Sequence, residues 1–237
     1  MGSLRDNLYK IAQMNWKNKL NLLLCIASDL QIIHSHKLVH RDLHSGNILQ
    51  DNLYSAYIAD LGLAIQSNIA SEMGSEDIYG ILPYIAPEIF DKKSYVTASD
   101  IYSFGMIMWE ILYGKLVYCD REFDNQLQIE ICRKNLRPTI IKNTPQCYIN
   151  LMKECWEKCP EDRPTAEEIY NIFTKWKDDE KILLELSESE QVLKDVLNTH
   201  DSTYIESNYR SRSLQIIFSR LSIIRISNLG KRRADKF

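Results

Sequence analysis

The segment at residues 98–113 constrains the fold most, because its apolar side chains lie nearly all round a helix. A helix without a polar face belongs in the centre of a domain. Residues 15–36 repeat apolar positions at helical spacing and predict a second long, buried helix. The domain built around these two helices is therefore expected to be mainly α-helical.

Three more helices are predicted, at residues 123–132, 146–156 and 165–176. The last of them has Thr165 as its N-cap and Glu168 three residues further on, which is the pattern of a capping box. We expect the folded domain to end near the end of this helix.

A few short strands are predicted between the first long helix and the central one. Residues 38–39 are expected to pair with residues 48–50, and another strand is expected near residues 56–58. Residues 63–80 are polar, contain Gly and Ser, and show no period. They predict a long loop, and loops of that length inside compact domains are usually functional.

The charge balance along the 237 residues is uneven. The net charge is −3, from 29 Lys and Arg against 32 Asp and Glu. Residues 202–237 hold eight Lys and Arg against two acids, a net charge of +6, which leaves −9 for residues 1–201. The near-neutral total argues against a general nucleic-acid binder.

Two segments follow the predicted domain. Residues 177–201 are acidic and amphipathic, and predict one helix packed on or near the domain. Residues 202–237 alternate apolar and basic residues. They are interpreted as a disordered extension, with a membrane-surface or nuclear-import segment as the alternative.

Six cysteines are scattered along the chain without the apolar segment of a secretory signal before them. This usage is typical of reduced intracellular thiols. Cys155 and Cys159 have no second Cys or His pair to complete a zinc site. The apolar run near residues 20–27 is short for a membrane helix. A soluble, cytoplasmic protein is expected, with a nuclear location open through the basic segment.

Five short motifs carry the chemistry of the sequence. Each one by itself is compatible with ordinary turn or helix-capping chemistry. Their order and spacing together are not expected by chance. They are the segment His40-Arg41-Asp42-Leu43-His44-Ser45-Gly46-Asn47, then Asp60-Leu61-Gly62, Ala86-Pro87-Glu88, Asp100 and Arg163.

Phosphoryl transfer accounts for the spacing of the first two motifs, since it needs positioning and charge neutralisation more than covalent chemistry. One carboxylate must meet the attacking hydroxyl, and Asp42 is the candidate. A second carboxylate and an amide oxygen must hold Mg²⁺, which prefers hard oxygen ligands. Asn47, on the same loop, and Asp60, on the next hairpin, are the candidates for that role.

These residues resemble the eukaryotic protein kinase family, closest to its tyrosine-kinase-like serine/threonine branch. The resemblance lies in H-R-D-L-x-x-x-N, in D-F-G with Leu61 in place of Phe, in A-P-E, and in residues 155–165. It covers residues 1–176 and implies the C-terminal lobe of a kinase, mainly α with short β-hairpins around the catalytic loop. The implied function is transfer of the ATP γ-phosphate to a protein Ser or Thr hydroxyl, or a Tyr hydroxyl, in signal transduction.

The resemblance also implies a role for each matching residue. Asp42 is the catalytic base, Asn47 and Asp60 hold Mg²⁺ beside ATP, and Leu49 lies under the adenine. Arg41 anchors a phosphorylated activation loop through charge-assisted bonds. The candidate phosphate acceptors on that loop are Ser67, Ser71, Ser75 and Tyr79, and the alternative for each is an unmodified surface residue. The structural set is His40, Gly62, Asp100, which holds the catalytic-loop backbone, and the buried ion pair of Glu88 with Arg163.

The sequence departs from the family first in the nucleotide-gripping elements. A kinase N-terminal lobe supplies a Gly-x-Gly-x-x-Gly loop over the phosphates and a Lys paired with a helix Glu. Neither occurs in the 237 residues, which are interpreted as starting just past the interlobe hinge. We expect these residues to be weak or inactive without an N-lobe or another partner. A truncated gene model and a lobe-only protein are the two explanations.

A second departure concerns the acceptor specificity. His44 stands where serine/threonine kinases of this family usually place Lys, and Ile81 stands where they usually place Thr. The tyrosine-kinase alternatives are also missing, with Tyr84 in place of the Trp before Ala-Pro-Glu. The acceptor hydroxyl therefore stays open between Ser/Thr and Tyr. His44 is either a phosphate contact or a partly exposed loop residue.

Two other function classes compete with a protein kinase. A small-molecule phosphotransferase is one, because Asp-Leu-His-Ser-Gly-Asn resembles catalytic loops of antibiotic- and choline-kinase-like enzymes. Glu88, Asp100 and Arg163 argue against it, because they build a platform for protein substrates. A non-catalytic, lobe-only scaffold or pseudokinase is the other, and it predicts no nucleotide binding.

Overall fold

The computed structural model describes residues 2–67, 78–92, 95–198 and 209–214, and over these the chain is mainly α-helical. The helices are α1 (Leu4–Ala12), α2 (Trp16–Ser35), α3 (Pro87–Lys92), α4 (Thr97–Tyr113), α5 (Asn125–Arg133), α6 (Gln146–Cys155), α7 (Ala166–Asp178), α8 (Glu180–Glu188) and α9 (Glu190–Asn198). The strands are β1 (Gly2–Ser3), β2 (Leu38–Val39), β3 (Ile48–Asn52), β4 (Ser55–Ile58), β5 (Ile65–Gln66), β6 (Ile78–Gly80) and β7 (Arg212–Leu214).

Helix α4 lies at the centre of the core, as its apolar sequence predicts. All but its first two residues are buried, and α1 and α6 pack against it. It ends at Gly114, which has φ +67° and donates its N–H to the Glu110 carbonyl at 2.8 Å. A Cβ on Gly114 would lie 2.8 Å from the Cβ of Ala12. Glycine is therefore required here both for the left-handed turn and for the close approach of α1.

The other predicted helices are also confirmed. Helix α2 begins after Asn15, whose side chain accepts from the backbone N–H of Asn18, and it packs against α7. Helix α7 begins after Thr165 with the expected capping box: the Thr165 hydroxyl accepts from the Glu168 N–H at 3.2 Å, and the Glu168 carboxylate accepts from the Thr165 N–H at 2.7 Å. These caps satisfy backbone N–H groups that a helix start leaves unpaired.

The prediction of a single helix at residues 177–201 was wrong for the residues that the structure describes there, 177–198. Two helices, α8 and α9, occupy them and break at Ser189. The Ser189 hydroxyl donates to the Leu186 carbonyl at 2.7 Å and accepts from the Trp16 indole N–H at 3.0 Å, which ties the break to α2. Leu186 and Leu193 are buried in the same core as α2, so that core continues beyond residue 176.

The strand pairing also differs from the prediction. Strand β2 pairs antiparallel with β5, whereas β3 lies between β1 and β4 in a three-stranded sheet. Strands β2 and β3 therefore do not form a hairpin with each other. The backbone between them is held by the Asp100 side chain, which accepts from the N–H groups of His40 and Arg41. Two short strands, β5 and β6, lie within the predicted loop at residues 63–80, and residues 68–77 of that loop lie outside the described part of the chain.

A segment of the basic extension is ordered against the domain, so the prediction of disorder was wrong for residues 209–214. Strand β7 pairs antiparallel with β6, with Gly80 opposite Arg212 and Ile78 opposite Leu214. Tyr209 is only 1% exposed. Burial of this aromatic side chain supplies the free energy that a terminal segment needs to stay in place. The rest of residues 202–237 lies outside the described ranges.

Other expectations concern membranes, metals and thiols. Over the described ranges, no helix combines the length and the apolar character that crossing a membrane requires. The same residues contain no cluster of three His, Cys, Asp or Glu side chains arranged for a metal ion. All six cysteines are free thiols, and burial raises the pKa of Cys155.

Candidate active site

The backbone of the loop at residues 40–47 is held by Asp100 in the first turn of α4. The Asp100 carboxylate accepts from the backbone N–H of His40 at 2.8 Å and from that of Arg41 at 3.1 Å. It also bonds the imidazole of His34 at 2.9 Å and is 1% exposed. Arg41 has φ +73°, a conformation that costs free energy for any residue except glycine. The buried carboxylate therefore stabilises a strained turn just before Asp42.

His40 joins this loop to the strand that leads to Asp60. Its imidazole is fully buried, accepts from the Asp42 N–H at Nδ1 (3.3 Å) and donates from Nε2 to the Ala59 carbonyl at 3.0 Å. Because Nδ1 accepts, the proton of the neutral ring lies on Nε2. His40 thus fixes the spacing between the two chain segments that carry the candidate carboxylates.

The buried Asp42 and His44 meet the half-buried Ser211 in a cluster that we call the acceptor side. The Ser211 hydroxyl lies 2.7 and 3.0 Å from the two carboxylate oxygens of Asp42, and His44 Nε2 lies 3.3 Å from the same hydroxyl. His44 Nδ1 accepts from the Gly46 N–H at 3.0 Å and lies 3.2 Å from the Arg5 guanidinium. His44 therefore carries its proton on Nε2 and donates to Ser211, which in turn donates to Asp42.

The charge states of the acceptor side follow from these contacts. Burial lowers the pKa of His44, and the nearby Arg5 charge adds to this effect against the attraction of Asp42. Burial by itself would raise the pKa of Asp42, but hydrogen bonds from His44 and Ser211 outweigh it and the pKa lies below its ordinary value. At neutral pH the pair is an ionised carboxylate beside a neutral imidazole, which suits a proton acceptor for a hydroxyl.

Asn47 and Asp60 lie at the other end of the loop, which we call the metal side. The Asn47 amide nitrogen donates to the Asp42 carbonyl at 2.9 Å, so the oxygen is the amide atom that suits a cation. The Ala59 N–H donates to the Asn47 carbonyl at 2.8 Å, which places Asp60 one residue from that contact. Asp60 is exposed, has φ +59° and accepts from the Gly62 N–H at 3.3 Å.

The donor set of the metal side fits the ion that the sequence predicts. A carboxylate and an amide oxygen are hard ligands of the kind Mg²⁺ takes while it keeps several waters and phosphate oxygens. Leu49 lies on the middle strand of the adjacent sheet, half-buried, and on the opposite face from the buried Ile48 and Gln50. The Leu49 side chain is therefore available to contact a flat ring such as adenine.

Most of the chain is similar in sequence to known proteins. Residues 1–173 match the family model described as protein tyrosine and serine/threonine kinase. The chain belongs to the protein kinase family. It is 34% identical over 175 residues to a probable serine/threonine-protein kinase of Dictyostelium discoideum, covering 71% of this chain and 16% of that protein. It is also 34% identical over 174 residues to a serine/threonine-protein kinase of Arabidopsis thaliana, covering 71% of this chain and 29% of that protein.

A third relative is a probable LIM domain-containing serine/threonine-protein kinase of Dictyostelium discoideum, 34% identical over 176 residues. The match covers 73% of this kinase chain and 26% of that protein. The kinase chain thus spans less than a third of each of these relatives.

Glu88 and Arg163 form a buried ion pair in the same domain as the site. The guanidinium donates to the two carboxylate oxygens at 2.7 and 2.8 Å, and Arg163 and Glu88 side chains are 0% and 8% exposed. Arg163 also donates to the Ala98 carbonyl at 2.9 Å, and Ser99 donates to Glu88 at 3.2 Å. The pair therefore joins the starts of α3 and α4 to the loop before α7.

Arg41 and the predicted activation loop are only partly described. The Arg41 guanidinium lies over the Tyr95 ring, 4.5 Å from its centroid. Of the four phosphorylation candidates, Ser67 is half-buried and Tyr79 is 39% exposed on β6. Ser71 and Ser75 lie outside the described residues. The anchoring role of Arg41 stays a prediction.

Sequence reasoning missed Ser211, Tyr209 and Arg5 as residues of this site, and it left open a partly exposed His44 that the structure buries. Arg5 donates to the Tyr209 carbonyl at 2.7 Å and contacts His44. The available signal was the change of charge along the chain: a basic segment with Arg on both sides of Ser211 follows residues 1–201, which carry a net charge of −9. That pattern suggests contact between the two parts but not which residues meet.

Proposed function

We propose that this kinase chain binds Mg²⁺–ATP and transfers the γ-phosphate to a Ser or Thr hydroxyl of a protein. The observation that carries the proposal is the Ser211 hydroxyl held 2.7 Å from the ionised Asp42 carboxylate. It supports the view that a hydroxyl on an extended segment beside the loop can be oriented toward this base. A short side chain such as Ser spans the distance, which favours Ser or Thr over Tyr as the acceptor.

The acceptor side would act by orienting the hydroxyl and taking up its proton. Asp42 accepts a hydrogen bond from the hydroxyl and receives the proton as the oxygen attacks phosphorus. His44 donates from Nε2 to the same oxygen and remains neutral because of its burial. Asp100 and His40 keep Asp42 in place through the loop backbone, so little reorganisation is needed during the reaction.

The metal side would bind the nucleotide. Asn47 and Asp60 would hold Mg²⁺ through their oxygens, and Leu49 would contact the adenine. Bound Mg²⁺ neutralises charge on the phosphates. The Gly-rich loop and Lys of the family do not occur among the 237 residues. We therefore propose that these residues by themselves bind the nucleotide weakly and transfer phosphate slowly.

Within the kinase family we propose the tyrosine-kinase-like serine/threonine branch. Residues 155–165 carry the Cys-Trp-x-x-x-Pro-x-x-Arg-Pro pattern that resembles this branch. The relatives named serine/threonine-protein kinase support the serine/threonine part of this proposal. A small-molecule phosphotransferase is less favoured because of the buried Glu88–Arg163 pair, which supports a surface for a protein substrate.

Calorimetry with Mg²⁺–ATP tests the proposal. We expect measurable heat of binding at millimolar nucleotide, and no heat of binding without Mg²⁺. The affinity for Mg²⁺–ATP should fall at least ten-fold in an Asp60→Asn variant. Asp51→Asn is the matched control, because Asp51 is an exposed aspartate on β3. Absence of Mg²⁺-dependent binding at millimolar nucleotide would contradict the proposal and favour a lobe-only scaffold.

A further inference from the structure

Residues 209–214 lie along the catalytic loop and contact both strand β6 and the connection between α4 and α5. Strand β7 pairs with β6, the Tyr209 hydroxyl donates to the Val117 carbonyl at 2.8 Å, and Arg212 donates to the Phe123 carbonyl at 2.9 Å. Between these contacts Ser211 reaches Asp42. The segment is therefore fixed on both sides of the residue that enters the acceptor side.

Tyr209 is the anchor of the segment. Its ring packs edge-on against Phe123 with 4.9 Å between centroids, and its backbone carbonyl accepts from Arg5 at 2.7 Å. A buried aromatic ring with a satisfied hydroxyl is the kind of side chain that carries most of the free energy of a small interface. It lies two residues before Ser211 and so sets which residue meets Asp42.

The strand pairing sets the depth of the segment in the site. Gly80 pairs with Arg212, and a Cβ on Gly80 would lie 3.4 Å from the Asp42 carboxylate. The edge of β6 thus runs directly beside the candidate base. Adding an extended peptide to such an edge gives affinity through backbone hydrogen bonds and specificity through alternate side chains.

Charge favours the same contact. Residues 1–201 carry a net charge of −9, whereas Ser211 lies between Arg210 and Arg212 in a segment of net charge +6. Both arginines are exposed, and Arg212 also donates to the Phe123 carbonyl at 2.9 Å. A basic strand is attracted to a region of net negative charge whether it belongs to the chain or arrives from another molecule.

We propose that the surface formed by β6, the catalytic loop and residues 117–123 is a groove for the acceptor peptide, and that residues 209–214 are its intramolecular occupant with Ser211 in the acceptor position. The groove takes an extended basic peptide with an aromatic residue two positions before the serine. This inference rests on the proposed function, which assigns Asp42 as the residue that meets the acceptor hydroxyl.

A negative charge at position 211 should expel the occupant. It would lie against the buried, ionised Asp42 carboxylate, and like charges at such a distance repel strongly in a site of low dielectric. The same charge at position 213 faces solvent, because Ser213 is exposed on β7. Ser211→Asp and Ser213→Asp therefore form a matched pair with the same chemistry two residues apart.

Hydrogen exchange of the whole chain, without nucleotide, is the first test. We expect exchange in residues 209–214 and 78–80, corrected for intrinsic rates, to be at least ten-fold faster in Ser211→Asp than in the unaltered chain. Ser213→Asp should stay within two-fold. Equal exchange in the two variants, with equal thermal melting of the domain, would overturn the proposal.

Peptide binding is the second test and also needs no nucleotide. A fluorescein-labelled peptide copying residues 207–216 should bind Ser211→Asp at least ten-fold more tightly than the unaltered chain, measured by anisotropy. The same peptide with phosphoserine at position 211 should bind at least ten-fold more weakly than the plain peptide. Equal affinity for both chains, or for both peptides, would overturn the proposal.

The two proposals fail separately. If Mg²⁺–ATP binds but the labelled peptide does not discriminate as described, the occupant proposal fails and the phosphotransferase proposal stands. If the peptide discriminates but no Mg²⁺-dependent nucleotide binding appears, the groove stands as a peptide-binding surface and the phosphotransferase proposal fails.

Discussion

The acceptor side and the metal side of this kinase are built from the same loop but are organised in opposite ways. On the acceptor side Asp42 and His44 are buried, and each has hydrogen-bond partners contributed by residues far apart in sequence. On the metal side Asp60 is exposed and accepts a hydrogen bond from the N–H of the nearby Gly62. The chain thus pre-organises the proposed base, Asp42, and leaves the proposed cation ligand Asp60 accessible to solvent.

The acceptor side is also connected to a buried polar network in the core. The Tyr84 hydroxyl donates to the Glu110 carboxylate, and Val117 donates its N–H to the same carboxylate oxygen at 3.2 Å. The Val117 carbonyl then accepts from Tyr209 at 2.8 Å. Glu110 therefore supports the residue on which the anchor of the 209–214 segment is bound.

The largest effect is expected from substitutions that change one side of the site and leave the other side intact. Asp42→Asn should lower phosphoryl transfer by about 10²–10⁴-fold, the usual contribution of a positioned general base. Nucleotide affinity should stay within about two-fold, because Asp42 is not a proposed cation ligand. Asp60→Asn should instead weaken Mg²⁺-dependent nucleotide binding.

Transfer to a serine peptide and calorimetry with Mg²⁺–ATP measure these two quantities. Loss of nucleotide affinity in both variants to the same degree would show that the two sides are not independent.

The next largest effect is on the stability of the whole domain and should not distinguish the acceptor side from the metal side. Arg163→Ala leaves the buried Glu88 carboxylate without its partner, and breaking a buried pair costs about 3–5 kcal/mol of unfolding free energy. Arg133→Ala is the control, since Arg133 pairs with Asp91 at 2.9 Å on the surface. Exposed pairs contribute about 0–1 kcal/mol. Urea unfolding checks both, and similar losses in the two variants would contradict the expected role of the buried pair.

The helices of this fold were predictable because their signals are local. The apolar residues of α4 and the capping box at Thr165 and Glu168 each specify a helix within one short stretch. The pairing of β2 with β5 was not predictable in this way, because two residues per strand carry no register and the loop between β2 and β3 is held by Asp100.

The residues of the site also differ in whether a local sequence signal identifies them. Asp42, Asn47 and Asp60 could be identified because the chemistry of phosphate and magnesium requires these side chains at this spacing. Ser211 could not, because its role depends on a contact across 169 positions with a segment whose composition predicts disorder. The burial of Tyr209 and the pairing of β7 with β6 help to bring it to Asp42.

A third prediction concerns pH and the network below the acceptor side. Burial raises the pKa of Glu110 from 4.5 to about 7, against the hydrogen bond from Tyr84. Between about pH 4.5 and 7 the unfolded chain releases this proton while the folded chain keeps it, so stability falls as pH rises. Glu110→Gln cannot ionise and should remove about 3 kcal/mol of that fall between pH 4 and 8.

Urea unfolding at several pH values measures this change. Glu122→Gln is the control, because Glu122 is an exposed glutamate in the connection between α4 and α5, which also contains Val117. Parallel curves of stability against pH for Glu110→Gln and the unaltered chain would show that the buried carboxyl does not hold a proton as described.

The smallest expected effect is confined to the acceptor side. Tyr209→Phe keeps the ring against Phe123 but removes the hydrogen bond to the Val117 carbonyl. Losing one such bond costs about 1 kcal/mol, so the 209–214 segment should open about five-fold more often, as read from its amide exchange. Nucleotide binding at Asn47 and Asp60 should not change, because Tyr209 contacts neither residue. If the nucleotide affinity fell with the opening of the segment, the two sides would be coupled through the loop, and the contrast between a pre-organised acceptor side and an independent metal side would be wrong.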